Sequence, residues 1–210
     1  MVRYVMIFFL LLSGCAGHSA EQSEVETGSP VVYIHPLTAN LRTASVAVLP
    51  FSVPPGMNVS QGENVAALFQ DVLLGKQAFH TVKMINRHYG QLTEAAAIAK
   101  ESGTDLVLAG KIKHLLSGTR LGGGRVELSV RVIDVRSGDT VWYIEQAMEQ
   151  KMDYPDVSLT HRLSSVFDTP PLRPSEGAPV VPNMLVHIAM DMADVMAGAR
   201  QVAKMAANGE

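Results

Sequence analysis

The spacing of apolar positions resolves the chain into short strands and two-faced helices. Ser45–Phe51 (Ser-Val-Ala-Val-Leu-Pro-Phe) is almost continuously apolar before the Pro54-Pro55-Gly56 turn, the pattern of a strand covered on both faces. Ser60 and Glu63 then stand at capping-box spacing, with Ser60 as N-cap. Val65, Leu68, Phe69, Val72 and Leu73 follow on one helical face, closed by Gly75. His80–Ile85 alternates Val82 and Met84 against Thr81 and Lys83, which predicts a second strand. Leu92–Ser102 is an alanine-rich helix ended by Gly103, and Leu106–Ile112 is a third strand. The order β-α-β-α-β with compact connections requires a parallel sheet with helices laid against it.

Beyond residue 124 the period changes. Val126, Leu128, Val130 and Val132 alternate with Glu127, Ser129 and Arg131 along Arg125–Asp134. After the Ser137-Gly138-Asp139 turn, Val141–Met148 is the partner of an antiparallel hairpin. Met152–Pro182 is proline-rich, lacks periodicity and reads as a long loop. Pro182–Ala206 closes the chain as a helix striped by Leu185, Ile188, Met192, Val195, Met196, Ala199 and Val202. The predicted class is α/β in the mixed-sheet (α+β) sense: a parallel β-α-β-α-β part, an antiparallel hairpin and a C-terminal helix.

The first residues follow another logic. Arg3 precedes an apolar run from Tyr4 to Leu12, the layout of a secretory signal and too short for a bilayer span of ~20 residues. The run ends in Leu12-Ser13-Gly14-Cys15, which resembles the lipobox of bacterial lipoproteins. That resemblance implies signal-peptidase recognition through Leu12, Ser13 and Gly14, lipidation of Cys15, and anchorage in the bilayer by its acyl chains. Ala16, where an aspartate would retain a lipoprotein in the inner membrane, implies the periplasmic face of the outer membrane. Gly17–Pro30 is rich in Ser, Glu, Gln and Gly and reads as part of a flexible tether. The expected organisation is a signal peptide over 1–14, a lipidated tether over 15–44, and one domain over 45–210 interrupted by the loop at 152–182.

Composition narrows the chemistry. Hydrophobic residues make up 47% and charged residues 18%, ample for a core, and the net charge of −3 without a Lys/Arg run argues against nucleic acid. One cysteine precludes an internal disulfide. The seven histidines form no H-x-x-x-H or H-E-x-x-H pair; His80 and His88 have no carboxylate at ligand spacing. Gly118–Gly124 lacks both the G-K-[ST] ending and the G-x-G-x-x-G pattern, and no G-x-S-x-G or Cys/His set offers a nucleophile. Asp134, Asp139 and Glu145 gather round one hairpin, either as an acid pair or, more simply, with Asp139 in the turn and Asp134 at the strand end. Met184, Met190, Met192, Met196 and Met205 mark either core or an adaptable binding face. No cofactor or metal is implied.

Three segments arrive in a suggestive order: Val-Ala-Val-Leu-Pro-Phe (46–51), Gly-Thr-Asp-Leu-Val-Leu-Ala-Gly (103–110) and Val-Ile-Asp-Val-Arg-Ser-Gly-Asp-Thr-Val-Trp (132–142). Together they resemble the periplasmic domain shared by CsgG, the TolB N-terminal domain, LpoB and the exopolysaccharide lipoprotein PelC. The resemblance implies an outer-membrane-anchored, homo-oligomeric assembly subunit of an envelope system exporting polysaccharide or protein, partnered by export proteins and not itself an enzyme. It leaves open a regulator of a periplasmic enzyme such as a peptidoglycan synthase, or a periplasmic ligand-binding protein. Among the loop residues, Tyr154, Val157, Leu159, Leu163, Val166 and Phe167 are apolar beyond the needs of a solvated linker. They are expected either to form an interaction surface or to fold back on their own domain.

Overall fold

The computed structural model describes residues 25–36, 41–118, 123–150 and 180–198. Its strands are β1 (Val25–Thr27), β2 (Val31–Ile34), β3 (Ser45–Val48), β4 (Thr81–Met84), β5 (Leu106–Leu116), β6 (Arg125–Asp134) and β7 (Thr140–Gln150). Its helices are α1 (Val59–Gly75), α2 (Leu92–Glu101) and α3 (Val180–Met196). All seven strands form one sheet in the order β1-β7-β6-β5-β3-β4, with β2 also on β7. β3 pairs parallel with β4 and β5; β6 pairs antiparallel with β5 and β7. The predicted parallel half, hairpin and mixed-sheet class are therefore present.

Each face of the sheet is packed differently. Val46, Val48, Leu106, Leu108, Ile112, Val126, Leu128, Val130, Val132, Ile144 and Met148 meet the buried sides of α1 and α3. The odd-numbered neighbours Ala47, Leu49, Val107, Ala109 and Ile133 meet Ala95, Ile98 and Ala99 of α2. Alternation along continuous apolar strands thus supplies both layers, as a parallel strand buried on both sides requires. The methionine alternatives separate: Met184, Met192 and Met196 lie in the core, whereas Met190 is 39% exposed. Met205 is outside the described residues.

The three segments that carried the family resemblance are joints of this fold. Phe51 lies flat over Gly110, where a Cβ would come within 2.3 Å of the Phe51 ring, and the ring packs on Phe69 at 4.9 Å between centroids. The Gly110 carbonyl accepts the Ser52 amide at 2.9 Å and the Tyr89 hydroxyl at 2.9 Å. Asp105 Oδ2 accepts both the amide (2.9 Å) and the hydroxyl (2.7 Å) of Ser45, tying the first residue of β3 to β5. Those two bonds hold the Asp105 carboxyl below its ordinary range. In the hairpin, Asp134 Oδ1 accepts the Arg136 and Ser137 amides, and Gly138 takes a φ of 78°. Asp134 and Asp139 are thus turn-forming residues, the simpler of the two readings.

Several boundaries differ from the sequence pattern. The cap of α1 is Asn58, whose side chain accepts the Ser60 amide at 3.0 Å, so Ser60 lies inside the helix and Glu63 pairs instead with His88 at 3.2 Å. Asparagine caps as well as serine, and the earlier residue took the position. Gly75 is the last helical residue, but Gln77 (φ 51°) is the left-handed one that turns the chain. β5 runs on to Leu116 because β6 pairs it that far, past an irregularity between Ile112 and His114. The largest correction concerns the tether: β1 and β2 pair antiparallel with β7 across Thr27↔Met148 and Val32↔Ile144, so residues 25–34 belong to the sheet. Main-chain pairing with an already formed strand requires no periodicity of its own, which is why the segment looked structureless.

Gly110→Ala tests the central joint. Overpacking against the buried Phe51 ring is expected to cost ~1–3 kcal/mol, read as a lower urea midpoint with an unchanged m-value, whereas Gly75→Ala, helical and with open space around it, does not lower the midpoint and is expected to raise it slightly.

Candidate functional site: the helix-free face of the sheet

α2 covers only the part of its face formed by β3, the start of β5 and Ile133 at the end of β6. Among the described residues no helix covers the β5-β6-β7-β2 part, and the sequence places polar and aromatic side chains there: Lys113 on β5, Arg125, Glu127 and Arg131 on β6, Tyr143, Glu145 and Glu149 on β7, and Tyr33 on β2. These are the outward positions of the same alternation that builds the core.

Lys113 Nζ lies 2.6 Å from Glu145 Oε1 and 3.6 Å from Glu127 Oε1. Arg125 reaches Glu127 at 3.1 Å and Glu149 at 3.6 Å, and His114 approaches Glu127 at 4.0 Å. Tyr143 donates its hydroxyl to Glu145 Oε1. Its ring is held between the Arg131 guanidinium, 4.0 Å from the centroid, and the Tyr33 ring, stacked at 5.0 Å and 27°. Tyr33 remains 58% exposed. The result is a ladder of alternating charge running across three strands and ending in an open aromatic ring.

The electrostatics follow from these contacts. Burial pushes the Glu145 carboxyl up, but the hydrogen bonds from Lys113 and Tyr143 and the Lys113 charge outweigh it, so the group titrates below its ordinary range. The bond to Glu145 holds the Lys113 ammonium above its usual value and pushes the Tyr143 phenol up. On the same face of the sheet, beside α2, burial raises the Tyr89 hydroxyl to about 12, keeping it a donor to Gly110. A carboxylate already satisfied by a cation and a phenol is a poor general base. The arrangement is suited to holding register across the strands.

A shallow apolar cleft of about 160 Å³ lies elsewhere, between α1 and α3, lined by Gln61, Asn64, Val65, Leu68, Leu115 and Leu185. No group of three or more His, Cys, Asp or Glu residues is placed to hold a metal among the described residues. Of the residues singled out from sequence, Glu145 falls within the ladder, while Asp134 and Asp139 do not join it. Leu12, Ser13, Gly14 and Cys15, and the loop residues Tyr154, Val157, Leu159, Leu163, Val166 and Phe167, lie outside the described residues. Lys113, Arg131, Tyr143 and Tyr33 were missed. The outward alternation of β6 and β7 carried the signal for Arg131 and Tyr143, but Lys113 and Tyr33 needed the β5 extension and the β2 pairing.

This architecture, a mixed sheet with two helices on one face and one helix on part of the other, is that of a known α+β fold. No protein-family model matches the sequence, and no curated protein matches it. Among solved structures it is similar to the PelC dodecamer from Paraburkholderia phytofirmans, at 17% identity and a TM-score of 0.52, covering 79% of this chain and 97% of that one. Lipoprotein GNA1162 from Neisseria meningitidis overlaps at 16% identity and a TM-score of 0.38, over 59% of this chain and 92% of that one. The LpoB C-terminal domain from Salmonella enterica overlaps at 12% and 0.39, over 55% and 88%. At these identities the likeness is one of fold.

The ladder predicts a pH dependence. A depressed Glu145 contributes stability above the unfolded carboxylate pKa that is lost as pH falls through its folded value. A raised Lys113 contributes stability that is lost only as pH rises through its own folded value. Glu145→Gln is expected to lower stability by up to ~1 kcal/mol at neutral pH and by less in acid, seen in urea midpoints collected across a pH series. An equal loss at every pH would contradict the ladder.

Proposed function

We propose that this chain is a lipid-anchored periplasmic lipoprotein that acts as a self-associating structural subunit of a cell-envelope export system, for polysaccharide or protein. The observation that carries this reading is the fold likeness to PelC over nearly the whole of that chain, a protein solved as a dodecamer. The Leu12-Ser13-Gly14-Cys15 sequence supports the anchor, and Ala16 supports the outer membrane as its destination. Two or more acyl chains, each methylene worth ~0.8 kcal/mol of burial, suffice for stable attachment. The flat ladder face supports a role in docking rather than in catalysis. The apolar residues of the 152–182 loop are proposed to contact the export partner.

The anchor is tested directly: wild type takes up labelled palmitate and fractionates with outer membranes, and Cys15→Ser does neither. Label in the variant, or none in wild type, would defeat the lipoprotein reading.

A further inference from the structure

Residues 25–34 join the sheet on weaker terms than the strands of the core. β1 and β2 have three and four residues, and both pair with β7 alone among the described residues. All four side chains of β2 are exposed, from Val32 at 36% to Tyr33 at 58%, and neither strand contributes a residue to a buried cluster. β7 has its own support: it pairs with β6 from Thr140 to Glu149, and its Trp142, Ile144 and Met148 lie in the core. Main-chain bonds at a solvent-facing edge, with little buried apolar surface behind them, mark the part of a fold that opens first.

One residue fastens the two strands. Gly28, between β1 and β2, donates its amide to the Ala147 carbonyl at 3.1 Å. Its own carbonyl accepts from Gln146 Nε2 at 2.9 Å, and the same nitrogen donates to Asp191 Oδ2 on α3 at 2.7 Å. A Cβ at Gly28 would come within 2.6 Å of the Ala147 carbonyl oxygen, a backbone atom held by the β6–β7 pairing. Further along, the Tyr33 ring stacks on Tyr143 at 5.0 Å. The attachment is thus a glycine pin and a ring stack rather than a packed face. Because Asp191 is on α3, the buried Gln146 amide retains a partner when Gly28 leaves.

Resting on the lipid anchorage proposed above, we infer that residues 25–34 are a releasable strap that sets how far the domain stands from its bilayer. Val25 follows Cys15 by ten residues, and Leu41, which packs against the core ahead of β3, follows it by twenty-six. At roughly 3.6 Å per residue, the chain from anchor to sheet spans at most ~36 Å with the strap fastened and ~94 Å with it peeled away. As flexible coils, the two lengths have mean reaches of ~17 Å and ~29 Å. Val25↔Gln150 is the first pair that a pull on the tether meets. Peeling proceeds from there through the Gly28 pin to Ile34, and leaves β3 to β7 in place. The domain thus has a short and a long standoff, and tension on the tether favours the long one.

The test uses the full-length lipidated protein, followed by amide hydrogen exchange in detergent and by neutron reflectometry on a supported phospholipid bilayer. In wild type, the amides of 25–34 are expected to exchange together, about a hundredfold or more faster than those of β6. Gly28→Ala is expected to abolish their protection, leave β3 to β6 unchanged, and move the domain about 10 Å outward, the difference between the two coils. Glu26 and Glu149 face each other in the register and are exposed, so Glu26→Cys with Glu149→Cys closes the strap by a disulfide. Oxidised, that variant is expected to exchange about tenfold or more slowly at 25–34 than wild type, to recover on reduction, and to keep the wild-type standoff. Protection at 25–34 equal to that of β6 in wild type, or loss of β6 protection in Gly28→Ala, would make these residues an integral part of the core and overturn the strap. A freed strap with an unmoved domain overturns the control of reach while leaving the lipoprotein reading intact. A wild type without acyl chains defeats both the anchor and the reach that rests on it, and exchange of the soluble chain still decides whether the strap opens.

Discussion

The fold is organised around one close approach: the Phe51 ring resting on a residue without a side chain, Gly110. Any Cβ there would displace a ring that is itself buried and packed on Phe69. The contact is locked by main-chain bonds on every side. Ser52 donates to Gly110 and accepts from Ile112, and the Phe51 amide donates to Gly62 in the first turn of α1. Tyr89, approaching from the α2 side, donates to the same Gly110 carbonyl. One glycine therefore sets the path of the chain out of β3, the start of α1 and the loop leading to α2.

With that joint fixed, the remaining topology has little freedom. β3, β4 and β5 must be parallel because helices connect them, and the short turns after β5 and β6 must reverse direction. α1 and α3 then claim one face. α2, only ten residues long, cannot span the other. The uncovered strands carry charge and aromatic rings where the covered ones carry Val and Ala. Each cross-strand pair there is worth ~0.2–1 kcal/mol, far less than the burial of the opposite face. The ladder therefore fixes register and keeps the face soluble without supplying most of the stability.

What could be read from the sequence follows the same division. Elements whose stability depends on their own periodic apolar face, such as α1, α3, β6 and β7, were legible. β1 and β2 were not, because their place is set by the free edge of β7 and by bonds such as Gly28 N–H to the Ala147 carbonyl. For the candidate site, Glu145 was visible only as one carboxylate among three near a hairpin. Tyr143 is two residues back on the same strand, but Lys113 comes from β5, and a register irregularity at Ile112/His114 lies beside it. No local pattern encodes such an offset, since it arises from pairing.

The segments that carry the family resemblance are those that build the joints: Phe51 and Gly110 in the close approach, Asp105 clamping Ser45, Asp134 and Gly138 in the turn, and Trp142 buried in the core. Their demands are steric, and they specify the fold rather than a function. Function must then be carried by surfaces that the joints leave unconstrained. In this chain those are the ladder face and the two sheet edges, whose side chains the fold does not dictate. An exposed Val-Val-Tyr-Ile strand is unfavourable for an isolated subunit, because it invites unplanned pairing.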